Sequence, residues 1–278
     1  MASSNIEVHV SRMKNTIRKY WSLFWKFRKL RLMLLLEYRG NFWFWTFVSI
    51  MWTIFNFFFF DLIIGARGSI AGWNRTEMYV LLSTFTMIDA LTWSFFYHVM
   101  QEYISSIFDG RMTLTLTRPI NPQYLLSIQT NSYTNVPRFL IGLTMMVITL
   151  RNGAIPITVW SVLGFVLFYC VSILFVYSIW FIVATFAFWV DRLDNINELV
   201  PSTRRVWQAP KEVYTGIVSV IFTVVLPFAL ISSQPSEILL GKASPYWLIY
   251  YTALTFFLFY LSTVFFRFSV RKYSGTAN

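Results

Sequence analysis

Apolar residues run in long blocks along this chain, separated by short charged stretches. Phe42–Phe60 carries no charge and ends at Asp61, while Met78–Met100 carries one acid, Asp89. Phe139–Leu150 lies between Arg138 and Arg151, and Ile157–Val190, Val213–Ser233 and Pro245–Phe266 complete the set. A hydrocarbon core about 30 Å thick needs roughly 20 such residues per helix. The pattern therefore predicts an all-α membrane protein with six transmembrane helices, at about 42–64, 78–100, 131–151, 157–190, 213–233 and 245–266. The third reaches full length only by extending back through polar residues to Asn131. The fourth would be roughly 50 Å long as one helix, too short for two spans and a turn, and reads as a single long, tilted or broken helix. Residues 1–41 precede the transmembrane domain at 42–268, and 269–278 form a short tail.

Outside the spans, residues 15–36 predict an amphipathic helix lying in the membrane interface. Arg18, Ser22, Lys26 and Lys29 fall on one face, and Ile17, Tyr20, Trp21, Phe24 and Phe27 on the other. A basic face toward anionic headgroups with aromatics in the acyl boundary suits a surface-bound helix; a cytosolic helix packed on a partner fits the same pattern. In the loop at 101–130, Ile104, Ile107 and Phe108 have helical spacing, and Asp109-Gly110 stops that helix. Met112, Leu114 and Leu116 then alternate with threonines, an extended pattern, and Arg118-Pro119 and Asn121-Pro122 add two stiff turns. Such a compact module is either a docking handle or an amphipathic loop packed on lipid. The loop at 191–212 carries both signs of charge and reads as a solvated helix.

Composition narrows the class. The chain is 56% apolar and only 13% charged, against about 25% charged for soluble domains, which excludes a soluble enzyme, a nucleic-acid-binding domain and a disordered chain. The net charge of +11 is unevenly placed: on the six-span reading, 19 of the 23 lysines and arginines share the side of the N-terminus. That bias puts both termini in the cytoplasm. The long basic N-terminal region and full-length first span read as an uncleaved anchor rather than a signal peptide. Cys170 is the only cysteine, so an intrachain disulfide is impossible. Asn74-Arg75-Thr76 matches a glycosylation triplet, a pattern that chance produces often.

Catalytic chemistry is hard to find. The only Gly-Lys pair, Gly241-Lys242, continues with Ala243, so the chain has no P-loop. No G-x-S-x-G or H-E-x-x-H occurs, and no metal site is expected: His98 and Glu102 stand four residues apart, but two groups do not make one. Asp89 is the conspicuous residue. An acid at the centre of a span costs about 2.5–3.5 kcal/mol, roughly what the Val, Leu, Ile and Phe residues around it return. It should therefore face a helix interface or a water-filled path, either hydrogen-bonded to a neighbouring Ser, Thr, Tyr or Trp or touching a substrate or cation. Pro227 interrupts the fifth span, and Ser232-Ser233-Gln234-Pro235 follows; a kinked or re-entrant segment is expected there, as an external gate or a bend.

An ordered series of short motifs then becomes specific. Glu37-Tyr38-Arg39-Gly40-Asn41-Phe42 leads into the first span, and Gly72-Trp73 with Glu77-Met78 into the second. Gly110-Arg111-Met112-Thr113-Leu114-Thr115-Leu116-Thr117-Arg118-Pro119-Ile120-Asn121-Pro122 joins the second and third. Phe188-Trp189, Ala209-Pro210, Tyr214, Leu226-Pro227-Phe228, Leu240-Gly241 and Arg271-Lys272-Tyr273-Ser274-Gly275 follow in order. From about residue 30 to 275 the chain resembles the ABC-2 type permeases, in particular the bacterial six-span branch; Gly40 departs from the alanine expected there.

The resemblance implies a half-transporter of the bacterial cytoplasmic (inner) membrane that exports drugs, lipids or other amphipathic compounds. It would bind no cofactor itself, ATP and Mg being held by two copies of a partner ATPase. It would pair with a second copy or a homologous permease, contact lipid and bind no nucleic acid. The resemblance also implies that 101–122 is a coupling helix region docking on the ATPase, with Ile107, Phe108, Gly110, Arg111, Arg118, Pro119 and Pro122 as its residues. Segment 15–36 would be the connecting helix, Pro227 and Pro235 would lie in re-entrant external helices, and Asp89 would line the substrate path. The competing readings are a membrane-embedded lipid-modifying enzyme, an assembly factor, or an ATP-independent secondary transporter.

Overall fold

The computed structural model describes residues 2–153, 155–190 and 195–273, with side chains left undescribed at 2–15, 17 and 67. Asp191, Arg192 and Asp194 of the charged loop, and Ile17 of the amphipathic face, thus lie outside what is described. Helix α1 (Ala2–Glu37) breaks at Tyr38 and is followed at once by α2 (Arg39–Arg67). The next helix starts where Asn74 accepts from the Glu77 amide at 2.9 Å and Glu77 accepts from the Asn74 amide at 3.1 Å, a reciprocal cap that gives this asparagine a structural task. α3 (Arg75–Thr92) widens into a π turn at Trp93–Tyr97 and continues as α4 (His98–Phe108).

Gly110, at φ 72°, ends α4 as the Asp-Gly pair predicts. The next residues correct the extended pattern: Met112–Leu116 forms a helical turn, α5. Burial explains the correction, because Met112 and Thr115 tuck in together while Leu114 points out, an arrangement that strict alternation cannot give. Asn121-Pro122 starts a further short helix, α6 (Pro122–Ile128), with proline at its first position and the Asn121 side chain accepting from the Tyr124 amide at 3.2 Å.

The third predicted span becomes α7 (Val136–Asn152), 17 residues and about 25 Å long. Residues 131–135 are not helical; the Ser132 amide donates to the Ser94 carbonyl at 2.8 Å, inside the π turn. α8 (Val159–Thr185) is a single helix, extended by a 3-10 turn at Phe186–Phe188. Among the described residues four helices are long and apolar enough to cross a bilayer: Arg39–Ala66, Arg75–Phe108, Val159–Phe188 and Pro245–Val270. This is a multi-pass membrane architecture. The aromatic faces of α2, from Trp43 through Phe59, are exposed in the monomer, which suits lipid and not water.

The region between α8 and the last long helix departs most from the hydropathy pattern. Short helices α9 (Leu199–Ser202) and α10 (Arg204–Trp207) are flanked by 3-10 turns at Ile196–Glu198 and Lys211–Val213. Glu198 accepts from Tyr97, Arg204 pairs with Asp89, and Glu212 accepts from the Trp73 indole. Tyr97 stands about 33 Å along its helix from Arg75, and Asp89 about 21 Å. Residues 196–213 therefore climb from the Phe108 end of the bundle to the Trp73 end at roughly 2.4 Å per residue, faster than the 1.5 Å rise of an α-helix.

The predicted fifth span at 213–233 is not one helix. α11 (Gly216–Val220) passes through a π turn at Ile221–Val225, breaks at Leu226-Pro227, and turns by 80° into α12 (Leu230–Leu239). The two prolines account for the shape, since each removes a backbone donor. The Val224 carbonyl, left without a helical partner at the Pro227 break, accepts from the Tyr250 hydroxyl. The Ile231 carbonyl, which Pro235 cannot serve, accepts from the Ser172 hydroxyl at 2.7 Å. α13 (Pro245–Val270) closes the fold.

The core joins α4, α8 and α13 through rings: Tyr103 on Phe181 at 5.1 Å, and Phe181 on Phe266 at 5.5 Å. α3 and α7 approach closely at Gly142, where an added Cβ would stand 3.0 Å from Met87 Cγ and 3.2 Å from the Ser83 carbonyl oxygen. Backbone cannot step aside as a side chain can. Gly142→Ala is expected to cost about 1–3 kcal/mol, read as a lowered melting temperature of the protein in detergent; an unchanged melt would show that the helices can separate freely.

Candidate functional site

Asp89 is fully buried. No hydroxyl or indole among the described residues holds it, which corrects the first of the two readings drawn from the sequence. Its partners are two arginines: Arg138 Nη1 lies 2.6 Å from Oδ2, and Arg204 Nη2 donates to the same oxygen. Charge patterning had placed both arginines with the solvated bases at one membrane face. The structure corrects this, because each finds inside the bundle a carboxylate that hydropathy counts only as a cost. Lys211 is corrected in the same way: it pairs with buried Glu237 at the Trp73 end, where Lys242 also meets Glu77 at 2.6 Å.

Local structure positions each member of the cluster. Arg138 sits in the first turn of α7, an unfavourable place for a cation beside the positive helix end, and the ion pair with Asp89 offsets it. Arg204 opens α10, with its guanidinium carbon 5.2 Å from the Trp93 ring centroid. Trp93 in turn stacks on Tyr97 at 4.2 Å, and the Tyr97 hydroxyl donates to Glu198 at 2.7 Å. The π turn thus supplies both aromatic members.

The cluster opens on a cleft of about 510 Å³ between α2, the π turn and the start of α7. Trp45, Val48, Ser49 and Trp52 form its α2 wall, and Arg138 and Arg204 its floor. Ser49 donates to Asn135 Oδ1 at 2.7 Å and Thr46 to the Thr134 carbonyl at 3.3 Å, which hold the non-helical 131–135 segment against α2. Two guanidiniums face one carboxylate, so the cluster carries a surplus positive charge.

The predicted docking residues form a separate feature, about 28 Å along the same helix from Asp89. Ile107 is buried and Phe108 half-buried in the core, so neither is presented outward. Arg111 reaches Glu102 at 2.6 Å and Asp109 at 2.8 Å. Hydrogen bonds to Asp109 and then Glu102 hold its guanidinium above the usual arginine range. Arg118 and Pro119 are exposed, and Leu114 stands 65% exposed at the tip. Lys19 of α1 donates to the Pro119 carbonyl at 3.2 Å, and the Asn121 amide donates to the Tyr20 hydroxyl at 3.1 Å. Arg28, whose guanidinium burial pushes below its usual range, caps α6 by donating to the Ile128 carbonyl at 2.7 Å. Sequence reasoning missed Arg28, Arg138 and Arg204. An acid inside a span demands a base, and Arg138 at the mouth of the third span was the available signal.

A protein-family model described as ABC-2 family transporter protein matches residues 50–277. No curated protein matches the chain, and no solved structure does.

Proposed function

Because the chain belongs to the ABC-2 transporter family, we propose that it is the permease subunit of an ATP-driven exporter whose fuel is hydrolysed by a separate ATPase. The observation that carries the reading, beyond family membership, is the rigid module from Phe108 to Ile128. It is tied into the core by Met112, braced by the Arg111 ion pairs and strapped to α1, yet presents Leu114 outward. A rigid projection is what a passive subunit needs if another protein is to push on it.

On this reading the chain crosses the membrane six times, residues 196–213 making the fifth passage as an irregular, ion-paired strand of short helices. The 216–239 hairpin enters and leaves on one side. Both termini and the 101–130 module face the cytoplasm of a bacterial cell, in keeping with the basic residues concentrated there. Two permease chains, identical or homologous, would assemble with two ATPase copies that hold ATP and its magnesium. Closure of the ATPases would displace the module, and α4, continuous with the Trp93 turn and with α3, would carry that displacement to the Asp89 cleft. The cargo would be an amphipathic molecule.

Affinity purification of the tagged chain from its native host tests this. An ATPase subunit should co-purify, and the complex should hydrolyse ATP in proportion to bound permease. A purified chain that transports without any such companion would overturn the proposal.

A further inference from the structure

The geometry points to the Asp89–Arg138–Arg204 cleft as a binding site for the head of an anionic amphiphile, a single carboxylate or phosphate group on an apolar tail. This rests on the transporter reading above and adds the substrate class. One carboxylate oxygen receives both arginines, while Arg138 Nε and Arg204 Nε have no hydrogen-bond partner among the described residues. Arg138 is only 4% exposed. A buried cation without its full set of acceptors is costly; Glu237 is committed to Lys211 and Glu198 to Tyr97, and Asp89 Oδ1, though unpartnered, belongs to the single carboxylate that already faces both arginines.

The planar guanidinium fork matches carboxylate and phosphate oxygens in pairs. Trp93 beneath Arg204 holds that fork in place. A cationic head would meet two positive groups, and a neutral one would leave the surplus charge uncompensated. The opposite wall carries two large indoles: Trp45 and Trp52 line the cleft and are 53% and 55% exposed. An amphiphile can therefore seat its head on the arginines while its tail lies along the indoles toward lipid. The volume of about 510 Å³ falls in the range of small-molecule sites.

The test uses the purified full chain in a neutral maltoside detergent, with tryptophan quenching by 11-bromoundecanoate, 11-bromoundecanol and the matching trimethylammonium compound. Saturable quenching by the carboxylate alone is expected. Arg204→Gln should weaken it at least tenfold. Asp89→Asn, which frees both guanidiniums, should bind it more tightly than the wild type and gain more thermal stability from it. Should Arg204→Gln fail to fold, Arg204→Lys decides: loss of the planar fork should lower carboxylate affinity several-fold. Equal quenching by all three probes, unchanged affinity in the Arg204 variant, or weaker binding by folded Asp89→Asn would overturn the proposal. Binding is read with no ATPase present, so a negative result leaves the ATPase complex standing, and loss of that complex leaves a positive binding result standing.

Discussion

Replacing Asp89 with alanine is expected to destabilise the folded chain by about 3–5 kcal/mol, the cost of stripping a partner from a buried ion pair. The change leaves Arg138 and Arg204 facing each other without a counter-charge, one of them at the positive end of α7. Arg204→Gln should cost less, since it leaves a neutral Asp89–Arg138 pair and Arg204 keeps a fifth of its side-chain surface exposed. The ranking is the sharper part of the prediction. It can be read from melting temperatures of the purified variants in one detergent, and an Arg204 variant less stable than the Asp89 variant would contradict it. The double variant should cost less than the sum of the two, because the sites share one oxygen.

On the docking role proposed for the 108–128 module, Leu114→Glu is expected to break its contact with the ATPase without unfolding the chain. Leu114 is the exposed apolar side chain at the tip of α5, while the residues that anchor the module, Met112 and Thr115, face inward. An interface anchor of this kind is worth about 2 kcal/mol or more, or roughly 30-fold in affinity. Permease-dependent ATP hydrolysis should fall with it, and the melting temperature should hold. Ile107→Ala should do the reverse, because Ile107 lies in the core: stability falls and docking by the surviving protein is retained. Normal ATP hydrolysis with Leu114→Glu would move the docking surface elsewhere.

How much of this was legible in the sequence differs from element to element. The first, second, fourth and sixth spans stand out as long apolar runs, only the second interrupted by an acid, because their side chains answer to lipid or to one another. The stop at Asp109-Gly110 was legible for a local reason, the left-handed backbone that glycine alone adopts without strain. The fifth span was misleading. Val213–Ser233 is the more apolar segment, yet Pro227 folds it back on itself, while the charged residues Arg204, Lys211 and Glu212 lie along the path that climbs the bundle. A hydropathy sum charges each of these for its own solvation and cannot credit a partner more than a hundred residues away, as Asp89 is from Arg204. The Asp89 site was half legible for the same reason: the acid announced itself, but its arginines read as ordinary surface bases.

The widened turn at Trp93–Tyr97 also sets the rotational phase of the longest membrane-spanning helix, Arg75–Phe108. Such a turn holds one residue more than an α-helical one, and every residue of an α-helix swings the chain by about 100°. Shortening the helix by one residue elsewhere, above Asp89 or below His98, would swing everything beyond it away from its neighbours. A single deletion within 93–97 would instead close the turn into regular helix with Asp89 and Met112 still on their present bearings. The longest span thus carries a built-in slack link at the point where the aromatic support of Arg204 is made, and it is the one place where the length of this helix is free to vary.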